Sequence, residues 1–454
     1  MRLLAPPLLI ASLVLCGCVG ALHSQQAPLK WTTGFWFWQG SSVQASPSTK
    51  TLDALYFQAG EINEGVGPQR QSWSVYAGLP EELPAASEYW IVLRFNKQGV
   101  PDLQAAPFVA QRVSQLRAEM QQEHHNVAGV QLDIDSPTRA LPQYASFLHE
   151  VRKNLPPGVG ISITALLDWF RDGTAIAEVI KEVDEFVPQF YDLQSDNIFG
   201  GTGAIAAKVD SAKWGPVFNR LGKRFRIGIS SFGRALYVQR SVAQGGSRRL
   251  LPVFADLTPL DIAGNAAFNL QTSRNEANEL VLTYRAARKI AIDYTAFEAG
   301  DGIQFILPTP EVIRAAVESV KRMRGYCAGV VFFRWPASNE TLAMLPEEVL
   351  AAAGGASEAA KKSSLDLADG GCAAVSCTDV FLVSANPLRP THVRFHVHSS
   401  AELEYFLPEK GVPIRMEGVS DLELSLPPYA GRRRMYLGRA VTAKHAEFTV
   451  GEVP

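Results

Sequence analysis

The sequence is short of charge. Asp, Glu, Lys and Arg make up 19% of its 454 residues and nearly cancel, leaving a formal net charge of −2, so it carries no basic footprint for nucleic acid. It also lacks an apolar run long enough for a permanent bilayer-spanning helix. The stretch from Leu3 to Val14 falls well short of the roughly 20 residues such a helix needs. No Gly-rich loop follows any strand-like run, which removes the phosphate cradle of a dinucleotide-binding open sheet. His396 and His398 share one face of a short strand, but no third ligand is placed beside them, so a solvent face is expected there and no metal or cofactor. What is present is apolar: 47% of the residues are hydrophobic, the composition of a chain that folds around cores. The length suits a large barrel with a smaller module.

The first residues read as an export signal: Met1-Arg2, the apolar stretch, then Leu15-Cys16-Gly17-Cys18. That last run resembles the lipobox of bacterial lipoproteins, with an aliphatic residue three before the modified cysteine and a small one just before it. The resemblance implies a signal peptide over 1–17, a lipid on Cys18 and a tether over 18–30. It places the protein in the cell envelope, anchored by that lipid alone. Val19, in place of the Asp associated with inner-membrane retention, favours the outer membrane, facing periplasm or surface. Export implies an oxidising compartment. Cys372 and Cys377 are close enough in sequence to pair, whereas Cys327 in an apolar run reads as a small buried hydrophobe.

From about residue 31 to 350, short apolar runs alternate with helical stretches. Eight strands are expected: Gly34–Gln39, Leu52–Ala59, Tyr89–Phe95, Ala128–Asp135, Gly160–Leu166, Glu185–Tyr191, Phe225–Ser230 and Ala328–Trp335. Helices are expected at Phe108–Gln122, Leu141–Lys153, Gly173–Glu182 and Pro310–Arg324. The pattern predicts an α/β fold, a (β/α)₈ TIM-like barrel, with an α+β insertion between Ser231 and Pro308 after strand seven. Residues 351–365, rich in Ala, Gly, Ser and Lys, read as a linker or a frayed helix end. Beyond it the apolar period becomes two, as in Val393–His398 and Leu422–Leu426, which predicts a C-terminal β-sandwich over 366–454.

In such barrels the polar residues at the C-terminal strand ends form the site. Those ends supply Trp38, Glu61, Arg94, Gln131, Asp133, Asp135, Asp168, Trp169, Gln189, Tyr191, Asp192, Arg334 and Trp335. Carboxylates, amides and flat aromatic faces around one rim suit a sugar. In Gly129-Val130-Gln131-Leu132-Asp133-Ile134-Asp135, residues 131, 133 and 135 point to one side of the strand. Two carboxylates stacked there raise one another's pKa, as a general acid requires. The competing structural role for Asp135 is as a cap on the helix that starts near Thr138–Leu141.

At these residues the chain resembles the chitinase-like family 18 glycoside hydrolases. Their Asp-Gly-x-Asp-x-Asp-x-Glu run aligns without a gap on Ala128–Asp135: Gly129 and Asp133 match, Asp135 stands for the Glu, and Ala128 and Gln131 replace the first two acids. Tyr191-Asp192 matches the Tyr-Asp of their strand six. Gly228–Arg234 echoes their Gly-x-Pro-x-x-Gly-Arg-like stretch. Gly329–Trp335 resembles their Gly-x-x-x-Trp run, with Phe333 at the gapless Trp position and Trp335 two residues late. The whole chain is also similar to a family of uncharacterised bacterial lipoproteins with a Gly-Val-Gln-Leu-Asp run.

The family 18 resemblance implies retaining, substrate-assisted hydrolysis of a polysaccharide or oligosaccharide containing N-acetylhexosamine. Asp135 would be the acid, Asp133 the orienting carboxylate, Tyr191 the acetamido partner and Asp192 a support. Trp335 or Phe333 would floor the sugar, and Trp38, Gln131, Gln189, Arg94, Glu61 and Trp169 would line it. Because Asp is one methylene shorter than Glu, a carbohydrate-binding lipoprotein without catalysis is the alternative. A structural envelope protein whose partner docks on the sandwich is a third reading. Oligomeric state is not legible in the sequence.

Overall fold

The computed structural model describes residues 29–43, 51–65, 73–97, 99–191, 209–239, 249–252, 257–262, 265–275, 277–292, 294–337, 340, 342–355, 363–373, 375–383, 394–409, 412–425 and 434–453. Cys18 and Asp192 lie outside these residues. Among them, no helix is long and apolar enough to cross a membrane.

Eight parallel strands close on themselves: β1 Thr32–Phe37, β2 Leu52–Glu64, β3 Ala86–Phe95, β4 Val127–Ile134, β5 Gly160–Ala165, β6 Glu185–Pro188, β7 Arg224–Ser230 and β8 Cys327–Phe333. Each pairs with its neighbours, and β1 pairs in parallel with both β2 and β8, which completes the barrel. All eight expected strands are present, with ends shifted by a few residues.

Both faces of the strands are covered; the outward face is apolar, while the inward face mixes aromatic with polar and charged residues. Their outward residues, such as Phe35, Leu55, Ile91, Leu132 and Ile163, join one core with the helices. Helix α1, Ala106–Gln122, and helix α2, Leu141–Asn154, each turn one apolar stripe to that core. On α2 the stripe is Leu141, Tyr144, Phe147, Leu148 and Val151. Helices α3 Ile176–Lys181, α4 Ser211–Asn219, α5 Pro310–Lys321 and α6 Pro346–Ala353 follow. α4, with Pro216 inside it and Gly215 beside it, lacks a clear helical signature and was not expected. α6 occupies the start of the expected linker, and the next strand begins at Ser364.

Two departures shape the barrel mouth. β2 runs beyond its expected end at Ala59 to Glu64 and folds back through an antiparallel strand, Trp73–Ala77, to make a hairpin. A register shift between Gln58 and Gly60 precedes it. After β7 the insertion forms a five-stranded antiparallel sheet in the order Arg249–Pro252, Arg234–Gln239, Gly302–Leu307, Leu280–Ala286 and Phe268–Arg274. This is the expected α+β excursion, with one short helix, Pro259–Ile262, among the described residues.

The C-terminal strands form two antiparallel four-stranded sheets. Val380, Leu382, Phe406 and Leu437 from one sheet share a core with Phe395, Val397, Leu422 and Leu424 from the other, the packing of a β-sandwich. Cys372 and Cys377 form a disulfide, and Cys327 is free and buried. His396 and His398 lie on the solvent-facing side expected of them, each beside Asp421: His398 Nδ1 lies 2.7 Å from it and His396 Nε2 3.4 Å. No group of three or more metal-ligating side chains occurs among the described residues.

Candidate active site

The inward-facing residues of the barrel fall into layers. At the N-terminal end of the strands Arg226 is fully buried with Glu185. Its guanidinium donates to Glu185 Oε2 at 2.8 Å and to Thr32 Oγ1 at 2.9 Å, and also reaches Glu88 and the Tyr56 hydroxyl. A burial this deep is tolerable because each charge meets an opposite one and hydrogen bonds fill the remaining positions.

Above lies a middle layer of Trp36, Tyr56, Trp90 and Gln131. Tyr56 and Trp90 stack at 5.8 Å with 8° between planes. Trp36 Nε1 donates to Gln131 Oε1 at 2.6 Å, and Gln131 Nε2 donates to Ser162 Oγ at 3.0 Å. Gln131 is therefore a satisfied residue of the barrel interior, and the structure does not bring it to a surface where a ligand could touch it. Gly228 lets this layer close. A Cβ there would sit 2.8 Å from Tyr191 Cε1 and 3.0 Å from Trp36 Cη2.

The top layer opens at the C-terminal strand ends. Asp133 is buried at the end of β4, where its Oδ1 accepts from Thr164 Oγ1 at 2.8 Å and its Oδ2 lies 3.6 Å from Arg94 Nε. Burial, reinforced by the charge of Asp135, raises its pKa to about 6 against the opposing pull of Thr164 and Arg94. Asp135, just past the strand, is exposed to solvent at the mouth. The protein around it still raises its carboxyl above the ordinary range, with Arg94 opposing. It caps nothing: the turn Thr138–Ala140 and helix α2 begin without a side-chain cap hydrogen bond.

Tyr191, buried just beyond β6, lies within the electrostatic reach of both carboxylates. Burial first, then Asp133 and Asp135, push its hydroxyl well above its ordinary pKa, so it keeps its proton; a hydrogen bond with the Gln189 side chain works the other way. Its ring stacks on Phe333 at 4.6 Å and 7°. Phe333 in turn meets Trp38 edge-on at 5.7 Å, and the Arg94 guanidinium lies 5.7 Å from the centre of the half-buried Trp38 ring. Asp133, Asp135, Arg94, Trp38, Gln189 and Tyr191 thus gather at one mouth. Glu61 joins from the side, opposite Arg94 in the strand register, with its carboxyl accepting from Asn96.

Two expected residues are elsewhere. Trp335 is buried on the outer side of β1, edge-on to Phe35, with its Nε1 donating to the Ser42 carbonyl at 2.8 Å. The aromatic position on the mouth belongs to Phe333. Both have the same parity, so strand alternation would aim them alike, but β8 ends at Phe333 and alternation no longer governs Trp335. Trp169 is also buried, carried outward by the 3-10 turn Leu167–Phe170 to pack on Tyr144, with its Nε1 donating to the Ser136 carbonyl at 2.8 Å. Neither offers a face to a sugar.

Sequence reasoning missed Thr164, although its inward parity with Ser162 on β5 could have found it. It also missed Tyr144, whose buried hydroxyl on α2 feels both carboxylates, because a helical stripe position signals core rather than site. Two concavities lie away from the mouth. One of about 340 Å³ at the other end of the barrel is lined by Lys30, Asp53, Glu88 and Arg224. Another of about 630 Å³ borders the disulfide. Neither gathers carboxylates with aromatic faces as the mouth does.

Residues 88–289 match the family described as a domain of unknown function, DUF3142. No curated protein matches the chain. Among solved structures, it is similar to chitinase ChiA74 of Bacillus thuringiensis, with 11% identity and a TM-score of 0.45 over 93% of this chain and 100% of the other. It is similar to a glycoside hydrolase family 18 N-acetylglucosaminidase of Paenibacillus barengoltzii, with 17% identity and a TM-score of 0.41 over 67% and 95%. A third is a class V chitinase mutant of Cycas revoluta in complex with (GlcNAc)3, with 13% identity and a TM-score of 0.46 over 71% and 99%. Likeness at this level says nothing about activity.

Proposed function

We propose that the barrel mouth is a carbohydrate site built to hydrolyse glycosidic bonds, with Asp133 and Asp135 sharing the acid proton. The observation that carries this reading is the buried Asp133, raised to about 6, directly below an exposed Asp135 and beside a protonated Tyr191. Two coupled carboxylates hold one proton between them at mildly acidic pH. Asp135, the member open to solvent, would give that proton to the leaving glycosidic oxygen and take one back from water.

On an N-acetylhexosamine the sugar's own acetamido oxygen would attack the anomeric carbon, with Asp133 and Tyr191 holding the acetamido group. Trp38 and Phe333 supply flat apolar surface for the ring. Turnover should fall as pH rises through about 6, because deprotonation of the pair removes the acid. We further propose that the protein is exported and lipid-anchored through Cys18.

One observation favours the second reading, recognition without catalysis. Arg94 lies 3.6 Å from Asp133 and over Trp38, where it opposes protonation and covers part of a ring face. A panel of polysaccharides and oligosaccharides tests both readings, with release of reducing ends and affinity measured side by side. Hydrolysis supports the first and binding alone the second. Absence of both, or affinity untouched by Trp38→Ala, contradicts the carbohydrate site.

A further inference from the structure

Beside the mouth stands the hairpin that extends β2. Up to Gln58 the inward residues of β2 are Ala54, Tyr56 and Gln58, facing Trp90 and Val92 of β3. The register shift at Gln58–Gly60 restarts the alternation. Gly60 then opposes the outward Leu93, and Glu61 opposes the inward Arg94. Gly60 is needed at this crossing, since a Cβ would sit 1.9 Å from the Tyr76 carbonyl oxygen.

Across the hairpin Glu61 is paired with Tyr76, and Asn63 with Ser74. Directly opposed residues on antiparallel strands point to the same face. Tyr76, Glu61, Asn63 and Ser74 therefore form one face, continuous with Arg94 and so with Trp38 and Asp133. The reverse face, Trp73, Val75 and Ala77, packs into the core towards α1. Tyr76 is 84% exposed, a flat ring displayed two strands away from Arg94, about 10 Å at the usual spacing. A carboxylate and two small polar side chains flank it, the combination that binds a sugar by ring stacking and hydroxyl hydrogen bonds.

We propose that this hairpin face is a further subsite for an extended polysaccharide, with Tyr76 as its platform and Glu61 as the hydroxyl partner. The proposal rests on the carbohydrate reading of the mouth and adds that the ligand is a chain long enough to reach past the barrel rim. Short oligosaccharides would occupy the mouth alone.

The test compares N-acetylglucosamine dimer and hexamer binding to the exported chain, by calorimetry, in wild type, Tyr76→Ala, Tyr76→Phe and Trp38→Ala. The wild type is expected to bind the hexamer more tightly than the dimer. Tyr76→Ala should weaken the hexamer about five- to ten-fold and leave the dimer unchanged, and Tyr76→Phe should retain hexamer affinity. Trp38→Ala should weaken both. Hexamer affinity unchanged in Tyr76→Ala, while Trp38→Ala loses binding, overturns the subsite and leaves the mouth. Failure of both oligomers on the wild type contradicts the mouth reading for these sugars and the subsite with it. Sedimentation of Tyr76→Ala guards against another occupant: a changed oligomeric state with unchanged sugar affinity makes this face a contact between copies and overturns the proposal.

Discussion

Asp133 is a carboxylate held where its charge is poorly solvated, and the cost can be read as a pH dependence. With a folded pKa of about 6 against 3.8 for the free side chain, the folded protein holds a proton that the unfolded chain releases between those values. The group is neutral to folding below about pH 4 and penalises it progressively as pH rises through 6, by about 3 kcal/mol at pH 7. Asp133→Asn keeps an acceptor for Thr164 and removes the penalty. Urea unfolding at pH 7 should show the variant more stable by up to about 3 kcal/mol, with a smaller loss between pH 4 and 7 than the wild type shows. A variant less stable at pH 7 would mean that the pairing with Arg94 outweighs desolvation. At this scale the sequence announced Asp133 and Asp135 through their shared parity, and the aromatic residues at strand ends were harder. Trp335 and Trp169 look like site residues by position, but each follows the last strand residue, where the backbone turns and two-residue alternation stops.

The barrel strands were legible because each carries a run whose outward residues are apolar and buried under the helices, and the amphipathic helices because their stripes repeat at helical spacing. The β2 hairpin was not, since the bulge at Gln58–Gly60 breaks the alternation on which a strand reading depends. Nor was the ion network inside the barrel. Arg226, Glu185 and Glu88 sit on three different strands, and their meeting depends on closure of the sheet, which local pattern does not encode. That network joins β3, β6 and β7 at the foot of the barrel through Arg226 and Glu185, both essentially without solvent exposure. Glu185→Gln should leave the guanidinium short of a buried counter-charge and destabilise the fold by about 3–5 kcal/mol, measured by chemical denaturation. A change below about 1 kcal/mol would show that Glu88 alone neutralises Arg226.

In the whole molecule, a barrel with a sheet inserted after β7 is followed by a sandwich with its own apolar core, an arrangement that composition shifts and the change of hydrophobic period had indicated. The anchor proposed at Cys18 makes a separate prediction: expressed in a bacterium that processes lipoproteins, the wild type should sediment with the membrane and Cys18→Ala should move to the soluble fraction, and retention of the variant on the membrane would refute the lipid anchor. The chemistry proposed for the barrel mouth is tested most directly by turnover and affinity measured together for Asp135→Asn on whichever polysaccharide of the panel the wild type is found to hydrolyse fastest. Loss of a positioned acid removes a contact made mainly in the transition state. Turnover is expected to fall at least about 100-fold while affinity stays within a few-fold, and turnover within a few-fold of wild type would contradict the assignment of Asp135 as the acid.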